Sequence, residues 1–349
     1  MYRFLALMAA GMSLVVSGAA LADEAPPTTQ EMVGEALSLA RSAAQGDKDA
    51  LATLRSHEEY MDLEFGLGEY YVLTKDYAQS ITWFQKSAAQ GFAGGYYGLG
   101  EAYETGRGVT RDYAQAMILY LKATELPEAG LRIGQLYGEG HGVKQDKAQA
   151  AAWYRKAADA GSVTADIALG DAYQTGTGIR QDDTQAMHWY RTAADAGDAE
   201  AQYRVGLLFE KPGSLQDYTQ SAYWYGKASQ QGVADAQLHL GLCYSNGRGV
   251  PADAAKAVQQ FQMAANQGNG QAQYHLAESF ATGRGMPADP VRAYEWMTIA
   301  KASLEAKDPT ASLATESLKD LEGQLSPKQI TRAKQDAAEW LQSHGATRH

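Results

Sequence analysis

Arg132, Arg204, His239 and His275 share one register. Each stands a residue ahead of an apolar–Gly or apolar–Ala pair, and Ala168 holds that place in the one intervening stretch. Glu101, Asp171 and Glu278 stand one residue after the same pair. These residue types perform recognition rather than bond making. A guanidinium can meet a carboxylate through two parallel hydrogen bonds, and an imidazole changes charge between about pH 5 and 8. On a helix, the residue ahead of the pair lies about 200° from the glycine and about 100° from the apolar residue. The row is therefore expected to face solvent on a concave side, together with the three carboxylates. An ordinary solvated surface would present the same residues, and both readings stand at this point.

Motifs for catalysis are missing. The chain holds no Gly-x-Ser-x-Gly and no Ser-x-x-Lys nucleophile motif. His57-Glu58-Glu59-Tyr60-Met61 lacks the second histidine of a zinc protease helix. Its Gly-x-Gly elements are not followed by Gly-Lys-Ser/Thr, so they do not read as phosphate loops. No catalytic residue, metal site or cofactor is expected. Cys243 is the single cysteine, so no internal disulfide can form, and its register neighbours Ala102, Leu136, Ala172, Leu208 and Ser279 make it a buried small residue.

The elements that must position the row repeat. Trp83, Leu119, Trp153, Trp189, Trp224, Gln260 and Trp296 are spaced 36, 34, 36, 35, 36 and 36 apart. Gly100, Gly134, Gly170, Gly206, Gly241 and Ala277 form a second series in the same register. Tyr103, Tyr137, Tyr173, Phe209, Tyr244 and Phe280 form a third. Most of the 21 tyrosines and six tryptophans fall at repeat positions, so they read mainly as core. Each unit reads as two helices. In the first, Ala165, Leu169, Gly170 and Tyr173 make one helical stripe, and the glycine allows a neighbour close approach. Loops such as Gly176-Thr177-Gly178-Ile179 follow, then an aspartate suited to cap the second helix: Asp112, Asp146, Asp182 or Asp183, Asp217, Asp253, Asp289. Asp289-Pro290 adds a proline at the first helical position. A helix pair of this size cannot bury its apolar face alone, so neighbours must stack.

Composition limits the partners. Lys plus Arg is 30 against 41 Asp plus Glu, a formal net charge of −11. That balance repels a phosphate backbone, disfavours nucleic acid and anionic membranes, and permits basic protein partners. The N-terminus reads as an export signal over 1–22: Arg3, an apolar run from Phe4 to Val16, and Ala20-Leu21-Ala22 ahead of Asp23. Cleavage after Ala22 would deliver a periplasmic or secreted protein with no stable membrane insertion. A retained anchor is the other reading of the same segment.

This pattern resembles the Sel-one-like repeat, a relative of the tetratricopeptide repeat. Residues 165–197 follow that family's Ala-x-x-x-Leu-Gly-x-x-Tyr, Gly-x-Gly-Val/Ile, Asp, Trp-Tyr-x-x-Ala-Ala, Gly pattern almost throughout. The resemblance implies an all-α, tetratricopeptide-like/Sel-one-like repeat solenoid, a right-handed superhelix of helix pairs. The expected organisation is a signal over 1–22, a linker over 23–30 and a helical cap over 31–57. About seven repeats follow over 58–301, with a closing cap over 302–349. The closing turn Leu126-Pro127-Glu128 of the second unit is two residues short and lacks a terminal glycine, so a bend is expected there. The resemblance further implies a non-enzymatic scaffold or regulator that binds protein or peptide partners on its concave face, with envelope polysaccharide machinery among the partners it suggests. A second reading is a binder of cell-wall or exopolysaccharide glycan. A third, a β-lactamase-like hydrolase, conflicts with the single cysteine, because members described that way carry bridged units.

Overall fold

The structure, a computed structural model, describes residues 27–56 and 60–344; the expected export signal and the first half of the expected linker, 23–26, lie outside them. The described residues form eighteen helices and no strand. The chain divides at Leu126–Pro127 into two compact units. That is the turn where the sequence pattern is short.

The first unit opens with α1 (Thr29–Ala44) and α2 (Lys48–Ser56), which meet at Gly46. Its helix pairs are α3 (Met61–Leu73) with α4 (Tyr77–Ala89) and α5 (Ala93–Thr105) with α6 (Tyr113–Lys122). Helix α1 begins inside the stretch read as a linker. Thr28 accepts from the Glu31 amide while the Glu31 carboxylate accepts from the Thr28 amide, so a capping box starts the helix where Pro26-Pro27 suggested loop. Ala36, Leu39 and Leu54 then seal the end of this unit's core.

The second unit stacks five pairs: α7 (Pro127–Glu139) with α8 (Lys147–Asp159), α9 (Val163–Thr175) with α10 (Asp183–Asp195), α11 (Ala199–Glu210) with α12 (Tyr218–Gln230), α13 (Ala234–Asn246) with α14 (Ala254–Asn266), and α15 (Gly270–Thr282) with α16 (Pro290–Ser303). Helices α17 (Pro309–Glu322) and α18 (Pro327–Ser343) close it, laying Ala314, Leu321, Ala333 and Ala337 against Trp296 and Met297.

The glycine and tyrosine series each have a mechanical part. The glycine of the first helix faces the aromatic ring that follows the tryptophan register on the second. A Cβ would stand 2.5 Å from the Tyr190 ring at Gly170, 2.6 Å from Tyr225 at Gly206 and 2.6 Å from Phe261 at Gly241. The tyrosine series supplies backbone: the carbonyls of Tyr103, Tyr137, Tyr173, Phe209, Tyr244 and Phe280 accept the amides of Asp112, Asp146, Asp182, Asp217, Asp253 and Asp289 at 2.8–3.0 Å. Those aspartates then cap the second helices, Asp182 rather than Asp183 in the fourth repeat. The second loop glycine is obligatory at Gly178, with φ +74° and a Cβ that would collide with the Lys147 carbonyl of the preceding repeat.

A buried amide latch holds several pairs closed. Four residues ahead of the glycine stand Glu64, Gln202, Gln237 and Gln273, all buried. The closing glutamine of the same repeat donates to the first three: Gln90 to Glu64 at 2.7 Å, Gln231 to Gln202 at 2.9 Å, Gln267 to Gln237 at 2.8 Å. The fourth and seventh repeats carry Ala196 and Ser303 instead of that glutamine. Asp166 Oδ1 and Gln273 Oε1 are there buried with no hydrogen-bond partner among the described residues.

Helix propensity alone favours alanine over glycine by about 1 kcal/mol, whereas overpacking a filled contact costs about 1–3 kcal/mol. Gly206→Ala is therefore expected to lower the urea midpoint. A raised midpoint would contradict the ring contact as the reason for the glycine.

Candidate functional site

Where the ring beneath the glycine is Tyr120, Tyr190 or Tyr225, its hydroxyl reaches the polar edge of the repeat and takes an acceptor from the first helix. In the first unit Tyr120 donates to Glu104, and Tyr97 donates to Glu101 at 3.2 Å. Glu69 is one repeat earlier in the register of Glu101. Burial, then the Glu101 charge, push its carboxyl up to about 7, with Arg41 pulling the other way.

In the second unit Tyr190 donates to Asp171 Oδ1 and to Gln174 at 2.9 Å, and Tyr225 donates to Glu210 Oε2 at 2.6 Å. The predicted row meets these acids. Arg204 lies over the Tyr190 ring and bonds Asp171 Oδ1 one repeat back. The Glu200 carboxylate lies 3.1 Å from its Nε, out of line for a hydrogen bond. Burial works against the Arg204 charge, but Asp171, Tyr190 and Glu200 outweigh it and raise its pKa. His239 sits 5.0 Å from the Tyr225 ring and 5.7 Å from Tyr203, with Nδ1 3.1 Å from Glu210 Oε2. Arg248 approaches the other Glu210 oxygen at 3.5 Å. The His239 hydrogen bond, opposed by burial and helped by Tyr225 and Arg248, brings Glu210 down to about 2. His275 stacks on Phe261 at 5.1 Å, its Nδ1 3.0 Å from Glu278, which also accepts from Tyr274. Arg132 donates to Gln135 at 3.3 Å.

The sequence expectation placed the row on a solvent-facing side; the structure draws it partly into the protein. The Arg204, His239 and His275 side chains are only 30, 26 and 30 % exposed, and each has an acidic partner within the chain. Asp171 and Glu278 join the row in the second unit, while Glu101 belongs to the first. The expectation missed Glu104 and Glu210. The signal that finds them is an acid four residues past the glycine in a repeat whose second helix carries Tyr after the tryptophan register.

Cys243 is buried, and burial pushes its thiol up to about 11. Among the described residues no three His, Cys, Asp or Glu side chains converge as a metal site. No described helix is long and apolar enough to cross a membrane.

Comparison with known families yields the Sel1 repeat over residues 63–92, 93–128, 127–162, 163–198, 199–233, 234–269 and 270–303, well over half the chain. The chain belongs to the Sel1 repeat family. Its Sel1 repeats make it a tetratricopeptide-like helical repeat solenoid. A Sel1 repeat protein from Oxalobacter formigenes has a similar structure, with a TM-score of 0.60 and 28 % identity over 70 % of this chain and 99 % of that one. A protective antigen present in uropathogenic Escherichia coli strains, described as displaying an SLR fold, matches at 25 % identity over 90 % of this chain and 84 % of its own, with a TM-score of 0.42. No curated protein sequence matches the chain. Sel1 repeat proteins are generally protein–protein interaction scaffolds and typically non-catalytic.

The Glu210 cluster gives a signed pH dependence. A folded pKa of about 2, below the ordinary 4.5, contributes stability that is present above pH 4.5 and lost as pH falls toward 2. Glu210→Gln is expected to cost about 1–3 kcal/mol at pH 7, a difference that narrows between pH 4.5 and 2. Urea melts at pH 7, 4 and 3 measure it, and a constant difference would rule out this cluster as its source.

Proposed function

We propose that the protein is an exported scaffold, periplasmic or secreted, that binds protein or peptide partners on the face formed by the first helices of its Sel1 repeats, and that it has no catalytic activity of its own. The observation that carries this reading is the uninterrupted run of seven Sel1 repeats over residues 63–303. Stacking commits the apolar side of each pair to its neighbours, so what remains for recognition is the edge of half-buried Arg, His, Asp and Glu. Arg204, His239 and His275 are tied to Asp171, Glu210 and Glu278, which also accept from tyrosine hydroxyls. A partner therefore meets an ordered surface and loses less side-chain entropy on binding. The formal charge of −11 favours partners with a basic contact region. Export rests on the Ala20-Leu21-Ala22 site and the apolar run before it.

The test has two parts. The tagged full chain is cross-linked in cells of its source, recovered from the envelope fraction and sequenced from its N-terminus. The exported form should begin at Asp23. Captured partners are then titrated against purified variants. Arg204→Ala should weaken binding by about 1–3 kcal/mol, and His239→Ala with His275→Ala should flatten its dependence between pH 5.5 and 7.5. Tyr223→Ala, on an exposed position of α12, should leave binding unchanged. Binding lost in Tyr223→Ala but kept in the first-helix variants would place the interface elsewhere.

A further inference from the structure

Between the third and fourth repeats the polar edge changes character. By register, residue 168 corresponds to Arg204 and His239, which cover the rings of Tyr190 and Tyr225 in the repeat before their own. Here it is Ala168, and the ring is that of Tyr154. The acid is missing as well: Gly138 stands where Glu104 and Glu210 stand, so α7 offers the Tyr154 hydroxyl no carboxylate at that place. A Cβ on Gly138 would lie 3.6 Å from the Tyr154 hydroxyl. Both small residues line the hollow that results, about 250 Å³ in volume, together with Tyr154, Asp171, Lys147 and Thr175.

We infer that this hollow is a docking pocket for an arginine side chain of a partner protein, which takes the place that Arg204 and His239 fill from within in the later repeats. Its size falls below the roughly 300–1,000 Å³ of small-molecule sites and suits one side chain. Its chemistry resembles that of the Arg204 site one repeat on, with which it shares Asp171: an aromatic face for a planar cation and a carboxylate oxygen to accept from its N–H groups. Tyr190 and Arg204 both bond Asp171 through Oδ1, and neither bond involves Oδ2. Asp171, which also pairs with Arg204, and Glu139 are the acids whose charges reach the Tyr154 hydroxyl. Burial raises the Tyr154 hydroxyl's pKa, and the charges of Glu139 and Asp171 raise it further. Lys147 also lines the hollow and is exposed at the first turn of α8, where its flexible stem can turn toward water. An acidic side chain would have to enter against Asp171. The inference rests on the scaffold reading and names the chemistry of one contact within it.

The experiment uses the full exported chain and three probes, the N-acetyl methylamides of arginine, lysine and glutamate, followed by two-dimensional NMR. Saturable shifts at Tyr154, Ala168 and Thr175 are expected with the arginine probe, smaller ones with lysine and none with glutamate. Ala168→Arg, which fills the hollow as Arg204 fills its own, should weaken the arginine probe about tenfold or more, with the circular dichroism spectrum unchanged. If Ala168→Arg does not fold, Ala168→His, copying the residue of the sixth and seventh repeats, carries the same expectation. Undiminished binding to the folded filling variant overturns the proposal, as do preference for the glutamate probe or shifts scattered over surface carboxylates. Partner capture separates the two readings. Capture that is unaffected by Ala168→Arg overturns the pocket and leaves the scaffold standing. A wild type that captures nothing overturns the scaffold, while the probes still decide the pocket.

Discussion

The repeat depends on a contact between a residue with no side chain and an aromatic ring. Gly170 and Gly206 let Tyr190 and Tyr225 lie against bare helix backbone. Almost everything else follows from that close approach. It fixes the separation within each pair, so the tyrosine carbonyl at the end of the first helix reaches the aspartate amide that starts the second. It also fixes where the tyrosine hydroxyl emerges. In the seventh repeat the same two register positions hold Ala277 and Met297, both in one buried cluster, so a methyl and a flexible thioether stem replace bare backbone and a flat ring.

The hydroxyl then organises the polar edge. A buried phenol needs an acceptor, so carboxylates gather at Glu104, Asp171 and Glu210. A carboxylate drawn partly out of water needs partners that offset its desolvation, so Arg204 and His239 lean in from the next repeat. The charged row is thus both an ordered surface and a set of ties between successive first helices. Arg204→Ala can change both, which is why binding measurements on this row belong beside stability measurements.

Features that one or two neighbouring residues determine were legible in the sequence. An aspartate beside a helix start, a glycine at positive φ and a 36-residue spacing of large aromatics each carry their meaning locally. The Asp182-Asp183 pair did not, because spacing admits either residue and only the backbone bond to Tyr173 chooses between them. The start of α1 was obscured by Pro26-Pro27, although Thr28 and Glu31 spell a capping box. The candidate row was recognised by register, but its partners were not. Asp171 and Arg204 are 33 residues apart and meet only through the offset between neighbouring first helices. No single-repeat pattern encodes that offset. Glu210, at the last position of α11, reads in sequence as a residue of the loop that follows.

The amide latch has a consequence for proton linkage. In the fourth repeat Asp166 is 3 % exposed, and no closing glutamine reaches its Oδ1. Burial, against the attraction of His188 and with the repulsion of Asp159, pushes its carboxyl up to about 6 from an ordinary 3.8. The folded repeat holds its proton more tightly than the unfolded chain does. Stability therefore falls as pH rises from about 4 to 6 and levels off above that. At neutral pH this repeat carries a buried charge whose Oδ1 has no hydrogen-bond partner among the described residues, whereas Glu64 accepts from Gln90. Mild acidification discharges Asp166, so the fourth repeat tightens in acid while the Glu210 cluster one repeat on holds its charge until near pH 2.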